Sequence, residues 1–367
     1  MNIPLLDLTK QYQSIKQEID QAVIHVLEKG SFILGEEVGL LEKEIASLCG
    51  ASYGIGVNSG TDALLLSLMA YGISREDEVI TTPLTFIATA EVIAMLGAKP
   101  VFVDINPKTF NIDVEKIEQA ITKKTKAIIP VHLYGQMADM DPIMDLAKKY
   151  NLIVIEDAAQ AILSEYKGKC SGSIGHTGCF SFFPAKNLGA YGDAGMILTN
   201  DKDVAERLKM LRNHGSRIKY QHSLLGCNSR LDEIQAAVLR IKARHITKWT
   251  QTRRQIANRY NESLADIPWL TIPFEEEWNK CVYNQYTLKV QYRDKFQKHL
   301  SEAGIPTAIH YPMPLHLQET FSCLGYKQGD FPESEKACSE VISLPIYPEL
   351  TDEQRDAVVA GIRSFEL

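Results

Sequence analysis

The stretch LIVIEDAAQA (residues 152–161) decides the fold class that the sequence predicts. It opens with an unbroken apolar run, and two acids, Glu156 and Asp157, follow directly. Unbroken apolar runs are typical of strands buried on both faces, as in a mostly parallel sheet covered by helices. The carboxyl end of such a strand faces the crevice in which open α/β sheets bind ligands, so Asp157 is a candidate ligand-binding residue. Capping of a following helix is an equally good interpretation of this acid.

Similar apolar runs alternate with helical patterns on both sides of this stretch. They are GIGV (54–57), EVITT (78–82), KPVFVDI (99–105), AIIPVHL (127–133), CFSFF (179–183) and MILTN (196–200). Strands that alternate with helices predict a parallel sheet with helices on both of its faces. The sequence therefore predicts an α/β fold with a three-layer large domain.

The pattern changes after residue 231, where long helices with apolar positions near a helical period are followed by proline breaks. A second, shorter α/β segment comes next. Its predicted parts are QYTLKV (285–290), a helix over 292–304, TAIHY (307–311) and a final helix from Asp352. We predict a large domain over residues 1–250 and a smaller C-terminal α/β domain over residues 251–367. The N-terminal helical region (11–28) belongs to the large domain or is shared with the small one.

Composition limits the partners and the compartment. The chain has 367 residues and a net charge of −7, from 39 basic and 46 acidic residues, which disfavours nucleic acid or an anionic membrane as partner. No apolar run approaches the ~20 residues of a membrane-spanning helix, and charges come too early for a signal peptide. The seven cysteines are scattered, odd in number and without a CxxC pair. We therefore expect a cytoplasmic protein with reduced thiols that binds neither nucleic acid nor membrane.

A second candidate site is NSGTDALLL (58–66), in which a strand end is followed by a Ser–Gly–Thr turn and a strong helix pattern. Free N–H groups at a helix N-terminus favour an anion. Capping of the helix by Ser59 explains the turn without any ligand and, for the turn alone, is the stronger interpretation. The overlapping GIGVNSG (54–60) does not match the dinucleotide fingerprint GxGxxG, because its last glycine stands one place late.

A third candidate site is Lys186, in SFFPAKNLGAYGDAG (181–195). Its charged group follows an apolar run and has no charged neighbour before Asp193. One interpretation is an ordinary loop lysine in water. The other is a Schiff-base nucleophile, which needs a desolvated amine with a lowered pKa, and Phe182, Phe183 and Pro184 provide apolar surroundings.

The three candidate sites together predict a pyridoxal phosphate site. The helix N-terminus would bind the phosphate, and Lys186 would form the Schiff base. Asp157 would keep the pyridine nitrogen protonated, so that the ring acts as an electron sink.

Blocks along nearly the whole chain, in order from about residue 30 to 350, resemble the DegT/DnrJ/EryC1/StrS family of sugar aminotransferases. They are NSGTDAL, TPLTFIATAEVI, VFVDI, PVHLYGQMADMD, VIEDAAQA, SFFPAKNLGAYGDAG, RNHGS, NSRLDEIQAAVL and IHYPMPLHLQ. The resemblance implies an aspartate aminotransferase-like fold of type I. It also implies a homodimer with active sites at the interface.

The resemblance implies a role for each cofactor residue. Lys186 is the Schiff-base lysine and the base that moves the proton, and Asp157 pairs with the pyridine nitrogen. The remaining cofactor contacts are Gln160 near the ring hydroxyl, Phe86 on the ring face, Gly60, Thr61 and Ser181 at the phosphate, and Asn228 reaching the phosphate from the other subunit.

The resemblance also implies the substrate, a nucleotide-linked keto sugar, with glutamate as amino donor. The motifs around Lys186 look most like enzymes that aminate carbon 3, and PLHLQ looks like those using dTDP-linked 3-keto-6-deoxy sugars. His310, Tyr311 and His316 resemble residues at the sugar nucleotide. Phe183 stands where many of these enzymes have a tyrosine whose hydroxyl contacts the substrate diphosphate. The absence of that hydroxyl also resembles the branch acting on UDP-linked 3-keto uronic acids. A 4-keto sugar is a further alternative.

Two other functions compete with amine transfer. Dehydration on the same scaffold is disfavoured, because that branch typically has histidine at the position of Lys186. A non-catalytic binding module is disfavoured by the complete set of site residues, although fold alone never proves activity. His132, His214 and His316 match no metal-binding spacing, so the sequence predicts no metal.

Overall fold

The computed structural model describes residues 3–366. Its α-helices are α1 (Leu8–Lys29), α2 (Glu36–Cys49), α3 (Gly60–Ala70), α4 (Ala88–Met95), α5 (Val114–Ala120), α6 (Met140–Tyr150), α7 (Lys202–Leu211), α8 (Glu233–Ala243), α9 (Ile246–Leu264), α10 (Arg293–Glu302), α11 (Pro332–Glu340) and α12 (Asp352–Arg363). Short 3-10 helices cover Leu133–Gly135, Leu315–Leu317 and Glu319–Leu324. Within residues 3–366, no helix combines the length and the apolar character that a membrane crossing needs.

The strands are β1 (Tyr53–Val57), β2 (Glu78–Thr81), β3 (Lys99–Phe102), β4 (Thr125–Ile128), β5 (Ile153–Asp157), β6 (Glu165–Tyr166), β7 (Lys169–Cys170), β8 (Thr177–Ser181), β9 (Gly195–Thr199), β10 (Ser216–Ile218), β11 (Gln221–His222), β12 (Leu270–Thr271), β13 (Asn279–Lys280), β14 (Tyr286–Val290) and β15 (Val341–Leu344). Seven form the central sheet in the order β1-β9-β8-β5-β4-β2-β3. The pairs from β8 to β3 are parallel, and β9 runs antiparallel to both of its neighbours. The predicted mostly parallel sheet is confirmed.

The strand β5 is buried on both faces. Val154 packs in one apolar cluster with Ile143 of α6, and Ile155 packs in another with Leu64 of α3. Successive side chains of a strand point to opposite faces, so a strand between two helical layers needs an apolar residue at every position. This is the physical reason for the unbroken run LIVI.

The C-terminal part has its own antiparallel sheet in the order β12-β14-β15. The helices α10 and α12 pack on it through Phe296 and Val358, in one cluster with Leu288 of β14. The strand and both helices predicted there are present. TAIHY differs from the other predicted strands, because it forms only an isolated bridge between Ala308 and Ser343. The other two strands of the sheet, β12 (Leu270–Thr271) and VISL (341–344), were missed by the sequence analysis.

The apolar core changes inside α9. Trp249 packs with α2 and α8, whereas Ile256 packs with the C-terminal sheet. Ile19 of α1 joins the cluster of Trp249, so most of the N-terminal helical region lies with the large part. A boundary between residues 250 and 251 stays our proposal. The predicted domains also include residues 1, 2 and 367, which lie outside the described residues.

The two parts of the chain are joined by a helix cap. The carboxylate of Asp104, beyond β3, accepts the N–H groups of Glu333 at 3.0 Å and Ser334 at 2.9 Å, and the Ser334 hydroxyl at 2.6 Å. These groups lie in the first turn of α11. Apolar contacts beside the cap bring Leu84 of the large part into one cluster with Val341. The C-terminal part is thereby held against the crevice of the central sheet.

A second long-range cap holds α2. This helix begins after Gly35, which has no side chain to cap it. The buried carboxylate of Glu233, at the start of α8, accepts the N–H groups of Gly35 at 2.6 Å, Glu37 at 2.9 Å and Val38 at 3.1 Å. One side chain thus satisfies backbone donors that a helix start otherwise leaves without partners.

We predict that Glu233→Ala lowers the free energy of unfolding by about 2–4 kcal/mol, because it leaves buried N–H groups without an acceptor. Urea unfolding at neutral pH measures the change. The matched control is Glu44→Ala, which removes an exposed partner of Arg240 and should cost less than about 1 kcal/mol. Equal losses in the two variants would contradict the capping role.

Candidate active site

A cavity of about 460 Å³ lies at the carboxyl ends of β5 and β8, between the central sheet and loops of the C-terminal part. Most of the site residues expected from the sequence line it. They are Gly60, Thr61, Phe86, Asp157, Gln160, Ser181, Phe183, Lys186, His310 and Tyr311. The fold thus brings together residues that lie far apart in the chain.

Asp157 is the last residue of β5, and its carboxyl group is buried in the cavity wall. Its Oδ2 accepts the hydroxyl of Thr89 at 2.7 Å, and its Oδ1 accepts the N–H of Ala159 at 3.2 Å. Burial raises the pKa of Asp157, and these two hydrogen bonds oppose the rise. The chain that follows forms turns and not a helix, so the capping interpretation fails.

Lys186 faces this carboxyl group across the cavity. Its Nζ has no hydrogen-bond partner among the described residues. Burial lowers the pKa of Lys186 to about 8, although the attraction of Asp157 opposes the shift. An amine is nucleophilic only when it is unprotonated, so this pKa suits a lysine that bonds to a carbonyl carbon.

The Ser–Gly–Thr turn combines both interpretations given above. The side chain of Ser59 caps α3 by accepting the N–H of Asp62 at 3.1 Å. The N–H groups of Gly60 and Thr61 have no acceptor within residues 3–366 and remain available to an anion. A Cβ at residue 60 would lie 2.7 Å from the Cβ of Ser181, so only glycine lets that hydroxyl come beside the turn.

Aromatic and amide groups form the rest of the wall. Phe86 is 55% exposed, and its ring centroid lies 6.0 Å from that of Tyr311. Gln160 is buried; it accepts the N–H of Tyr134 at 2.8 Å and donates to the Tyr311 hydroxyl at 3.2 Å. Phe86 therefore offers a free ring face, and Gln160 is fixed between two elements.

His310 enters the cavity from the C-terminal part. Its Nδ1 lies 2.9 Å from the hydroxyl of Ser343, and its carbonyl oxygen accepts the hydroxyl of Tyr134. Burial, and then the charge of Lys186, lower the pKa of His310 to about 4. His310 is therefore a neutral hydrogen-bonding group at neutral pH.

Two expected site residues lie outside the cavity wall. His316 is buried beside Phe331, and its Nε2 lies 3.0 Å from Glu335. Asn228 lies near the β10–β11 hairpin and bridges to Asn213. The sequence resemblance assigns Asn228 to the other subunit's site, so its position within one chain does not test that role.

The structure adds lining residues that the sequence analysis did not single out, namely Thr85, Asp193, Asn284 and Gln285. Asn284 and Gln285 stand between Tyr283 and Tyr286, both of which are buried. Asn284 and Gln285 form a bend directly before β14, so no strand or helix periodicity of the sequence could have placed them. Asn284 donates to Gln285 at 2.7 Å, so the two amides form one polar surface.

Glu156, the other acid of LIVIED, is buried on the opposite face of β5. Its carboxylate accepts N–H groups from Gly172, Ile174 and Gly175, and it lies 2.8 Å from Nε2 of His132. Burial alone would raise the pKa of Glu156, but these hydrogen bonds hold the pKa below its usual range. Glu156 therefore fixes the chain between β5 and β8.

The glycines after Lys186 serve packing. A Cβ at Gly189 would lie 2.3 Å from the carbonyl oxygen of Pro184, and one at Gly195 would lie 2.3 Å from that of Ser59. Glycines beside a reactive lysine can let the backbone pass close to a ligand. In the structure the close approach is to the chain's own backbone.

These residues fit pyridoxal phosphate. An amine with lowered pKa, a buried carboxyl, a free aromatic face and a turn with unused N–H groups share one cavity. The close approach of Gly60 to Ser181 leaves no room for a Cβ and brings the Ser181 hydroxyl beside the turn. Residues 3–366 contain no cluster of three or more His, Cys, Asp or Glu side chains placed to hold a metal ion.

Comparison with known proteins gives the family. The DegT/DnrJ/EryC1/StrS aminotransferase family matches residues 13–363. A "pleiotropic regulatory protein" of Geobacillus stearothermophilus is 52% identical, with 100% of this chain and 99% of the relative covered. The dTDP-3-amino-3,6-dideoxy-alpha-D-galactopyranose transaminase of Aneurinibacillus thermoaerophilus is 47% identical over 99% of both chains. The UDP-2-acetamido-2-deoxy-3-oxo-D-glucuronate aminotransferase of Pseudomonas aeruginosa is 45% identical, with 95% of this chain and 96% of the relative covered.

Solved structures agree with these relatives. DesV of S. venezuelae, in complex with a ketimine intermediate, has a TM-score of 0.97 at 41% identity, covering 99% of this chain and 98% of DesV. NtdA of Bacillus subtilis, with the cofactor PMP bound, has a TM-score of 0.91 at 33% identity, covering 99% of this chain and 84% of NtdA. The aminotransferase fold predicted from the sequence is confirmed.

We predict that Gly60→Ala raises the dissociation constant for pyridoxal phosphate about 10-fold, because the displaced turn loses a charge-assisted hydrogen bond. Fluorescence titration measures the constant. Gly39→Ala is the matched control, since its Cβ has nothing within 4 Å. Unchanged affinity in Gly60→Ala would show that the turn does not hold the phosphate.

The lowered pKa of Lys186 predicts how its reactivity depends on pH. In cofactor-free protein, acylation of Lys186 should rise through a midpoint near pH 8, because the free amine forms above its pKa of about 8. Acylation of ordinary lysines should have its midpoint at about pH 10.4. Peptide mass spectrometry after short labelling measures the midpoint of Lys186 and those of the ordinary lysines in one sample. A Lys186 midpoint at the ordinary value would refute desolvation of this amine.

Proposed function

Because the chain belongs to the DegT/DnrJ/EryC1/StrS aminotransferase family, we propose that it aminates carbon 3 of a nucleotide-linked 3-keto sugar, with glutamate as amino donor. The chain is a pyridoxal phosphate-dependent aminotransferase. A dTDP-linked 3-keto-6-deoxyhexose is the first candidate substrate, since the 47% identical relative is named for a dTDP-linked 3-amino sugar. The observation that carries the proposal is the Lys186 amine, its pKa lowered to about 8, in one cavity with the buried Asp157.

The nucleotide and the keto position have alternatives. A UDP-linked 3-keto uronic acid is supported by the 45% identical relative of Pseudomonas aeruginosa. Phe183 is 54% exposed at the cavity and has no hydroxyl for a substrate diphosphate. A 4-keto sugar is the remaining sugar alternative. The regulatory name of the 52% identical relative raises a non-catalytic role, against which the complete cavity argues.

The proposed chemistry divides between the cofactor and the side chains. Bound pyridoxal phosphate supplies a carbon that carries the amino group and a ring that delocalises electrons. Lys186 would hold that carbon, and its Nζ, once free, would be the base that moves a proton between the substrate carbon and the cofactor carbon. A flexible stem and a pKa of about 8 suit an amine that must gain and lose a proton.

The other residues position the reacting groups. Asp157 would keep a proton on the ring nitrogen, and Gln160, whose amide donates to the Tyr311 hydroxyl, would lie at the ring hydroxyl. Gly60, Thr61 and the Ser181 hydroxyl bind the phosphate. Each of these residues lines the cavity. His310, Phe183 and the amide surface of Asn284 and Gln285 face the remaining space, which we assign to the sugar.

We further propose a homodimer with active sites at the interface. Among the described residues that line the cavity, Lys186 is the one cation at neutral pH, whereas Asp157 and Asp193 are acids. A phosphate and a nucleotide diphosphate need more positive charge. The hairpin β10–β11 projects Tyr220, which is 82% exposed, and carries basic residues at 217 and 219. Its placement beside Asn228 supports the supply of phosphate contacts from a second copy.

We also propose a cytoplasmic location and a chain that works with neither nucleic acid nor membrane. All seven cysteines are free thiols, which suits a reducing compartment. The acidic balance of the chain, −7, argues against polyanionic partners.

The function predicts a spectroscopic response. The protein with pyridoxal phosphate should show a visible absorbance band that glutamate bleaches, with release of 2-oxoglutarate. Lys186→Ala should abolish turnover while leaving the unfolding midpoint nearly unchanged, because the amine makes no hydrogen bond in the fold. Lys186→Arg keeps the charge without the nucleophilic amine and should be equally inactive.

Each outcome separates the candidates. The glutamate-treated protein is then mixed with each of a panel of dTDP- and UDP-linked 3-keto and 4-keto sugars. The sugar that restores the visible absorbance band is the substrate. A band that ignores glutamate would point to another donor or to dehydration. Retained turnover in Lys186→Ala would refute the proposed mechanism.

The dimer predicts subunit complementation. Lys186→Ala and Asn228→Ala should each be impaired alone, yet mixed subunits should recover about one quarter of wild-type activity, since about half of random dimers are mixed and each has one intact site. Lys186→Ala mixed with Asp157→Asn is the control, because both residues belong to the same site. Recovery in the control, or none in the test pair, would contradict a shared site.

A further inference from the structure

A pair of buried threonine hydroxyls leads to the carboxyl group of Asp157. Thr89, in the first turn of α4, is fully buried, and its Oγ1 lies 2.7 Å from Oδ2 of Asp157. The same oxygen lies 2.9 Å from Oγ1 of Thr85, which precedes α4, is buried and lines the cavity. These contacts form one chain from the cavity wall to the carboxyl group.

The direction of the hydrogen bonds in this chain follows from proton counting. A hydroxyl has one proton to donate. An ionised Asp157 only accepts, so Thr89 donates to it, and Thr85 must then donate to Thr89. A proton on Oδ2 of Asp157 would have to be donated to Thr89, and the chain would then reverse. The arrangement with every proton directed at Asp157 therefore stabilises its charge.

Asp157 depends on few donors for that charge. Besides Thr89, the N–H of Ala159 donates at 3.2 Å. The titratable groups that face Asp157 from the surrounding elements are Lys186, His132, Tyr311 and Cys179. In the proposed reaction Lys186 bonds to the cofactor, and it is then no longer a free cation near Asp157. The Thr89 hydrogen bond persists through that change.

We propose that Thr89 is a positioning residue of the reaction, whose hydroxyl keeps Asp157 ionised and aimed at the ring nitrogen of the cofactor, with Thr85 orienting that hydroxyl. The inference rests on the proposed function, which pairs Asp157 with the ring nitrogen. Phe86 lies between the two threonines in sequence and also lines the cavity. The segment 85–89 thus supplies both the aromatic face and the support of Asp157.

The first test is Thr89→Val, which removes the hydroxyl at nearly equal volume. The dissociation constant for pyridoxal phosphate should rise about 10-fold, because a hydrogen bond to a charged group is lost. The pH midpoint of the cofactor's visible absorbance should move upward, since a ring nitrogen that holds its proton less firmly withdraws less charge. The kcat should fall about 10-fold or more while KM for the keto sugar stays within about 2-fold.

Thr89→Ser and Thr177→Val are the matched variants. Serine keeps the hydroxyl and should restore both the affinity and the pH midpoint. Thr177 is a fully buried threonine of β8 whose hydroxyl has no hydrogen-bond partner among the described residues. Its valine variant measures the effect of removing a buried hydroxyl that touches no reacting group, and it should leave both readouts unchanged.

The outcomes separate the inference from the proposed function. A wild-type protein that does not bind pyridoxal phosphate overturns both. A wild type that binds it, with Thr89→Val and Thr177→Val behaving alike, overturns the role of Thr89 alone. If Thr89→Val does not fold, Thr85→Val takes its place, and we expect a change in the same direction of about 3-fold. No change in folded Thr85→Val relative to Thr177→Val also overturns the proposal.

Discussion

The burial of the Asp157 carboxyl group beside the Lys186 amine is the constraint on which the active site depends. Moving either charge out of water is costly unless hydrogen bonds or an opposite charge replace the water. Asp157 receives the Thr89 hydroxyl and the N–H of Ala159, whereas Lys186 receives no hydrogen bond within residues 3–366. The same desolvation therefore has two results. The pKa of Asp157 rises, although its two hydrogen bonds oppose the rise, and the pKa of the amine falls to about 8.

Steric exclusion is the second constraint, and it acts through glycine. The turn after β1 approaches β8 so closely that a Cβ at Gly60 would lie 2.7 Å from that of Ser181. A Cβ at Gly195 would lie 2.3 Å from the carbonyl oxygen of Ser59. These contacts place the unused N–H groups of Gly60 and Thr61 at the rim of the cavity that holds Lys186. An anion cradle and a reactive amine thus become one site through backbone packing.

Sequence reasoning succeeded where the chemistry lies in a single residue and its immediate neighbours. An unbroken apolar run predicted β5, and the isolated position of Lys186 predicted a desolvated amine. It failed where the partner of a residue is distant in the chain. Thr89 looks like a helix residue until Asp157 is beside it. Nothing in the sequence indicates the partner of His132, whose Nε2 lies 2.8 Å from Glu156. TAIHY was expected within the second α/β segment, yet the edge of that sheet is taken by residues 341–344.

The sequence by itself determined the α/β class, the strand that ends in Asp157, the turn at Gly60 and the family, because each depends on local pattern or on motifs in order. The tertiary structure decided which polar groups face one another. It directed Thr85 and Thr89 to Asp157, added Asn284 and Gln285 to the cavity, and placed His316 outside it. The physical reason is that desolvation and hydrogen bonding depend on distances between side chains, and those distances are set only when the strands and helices pack.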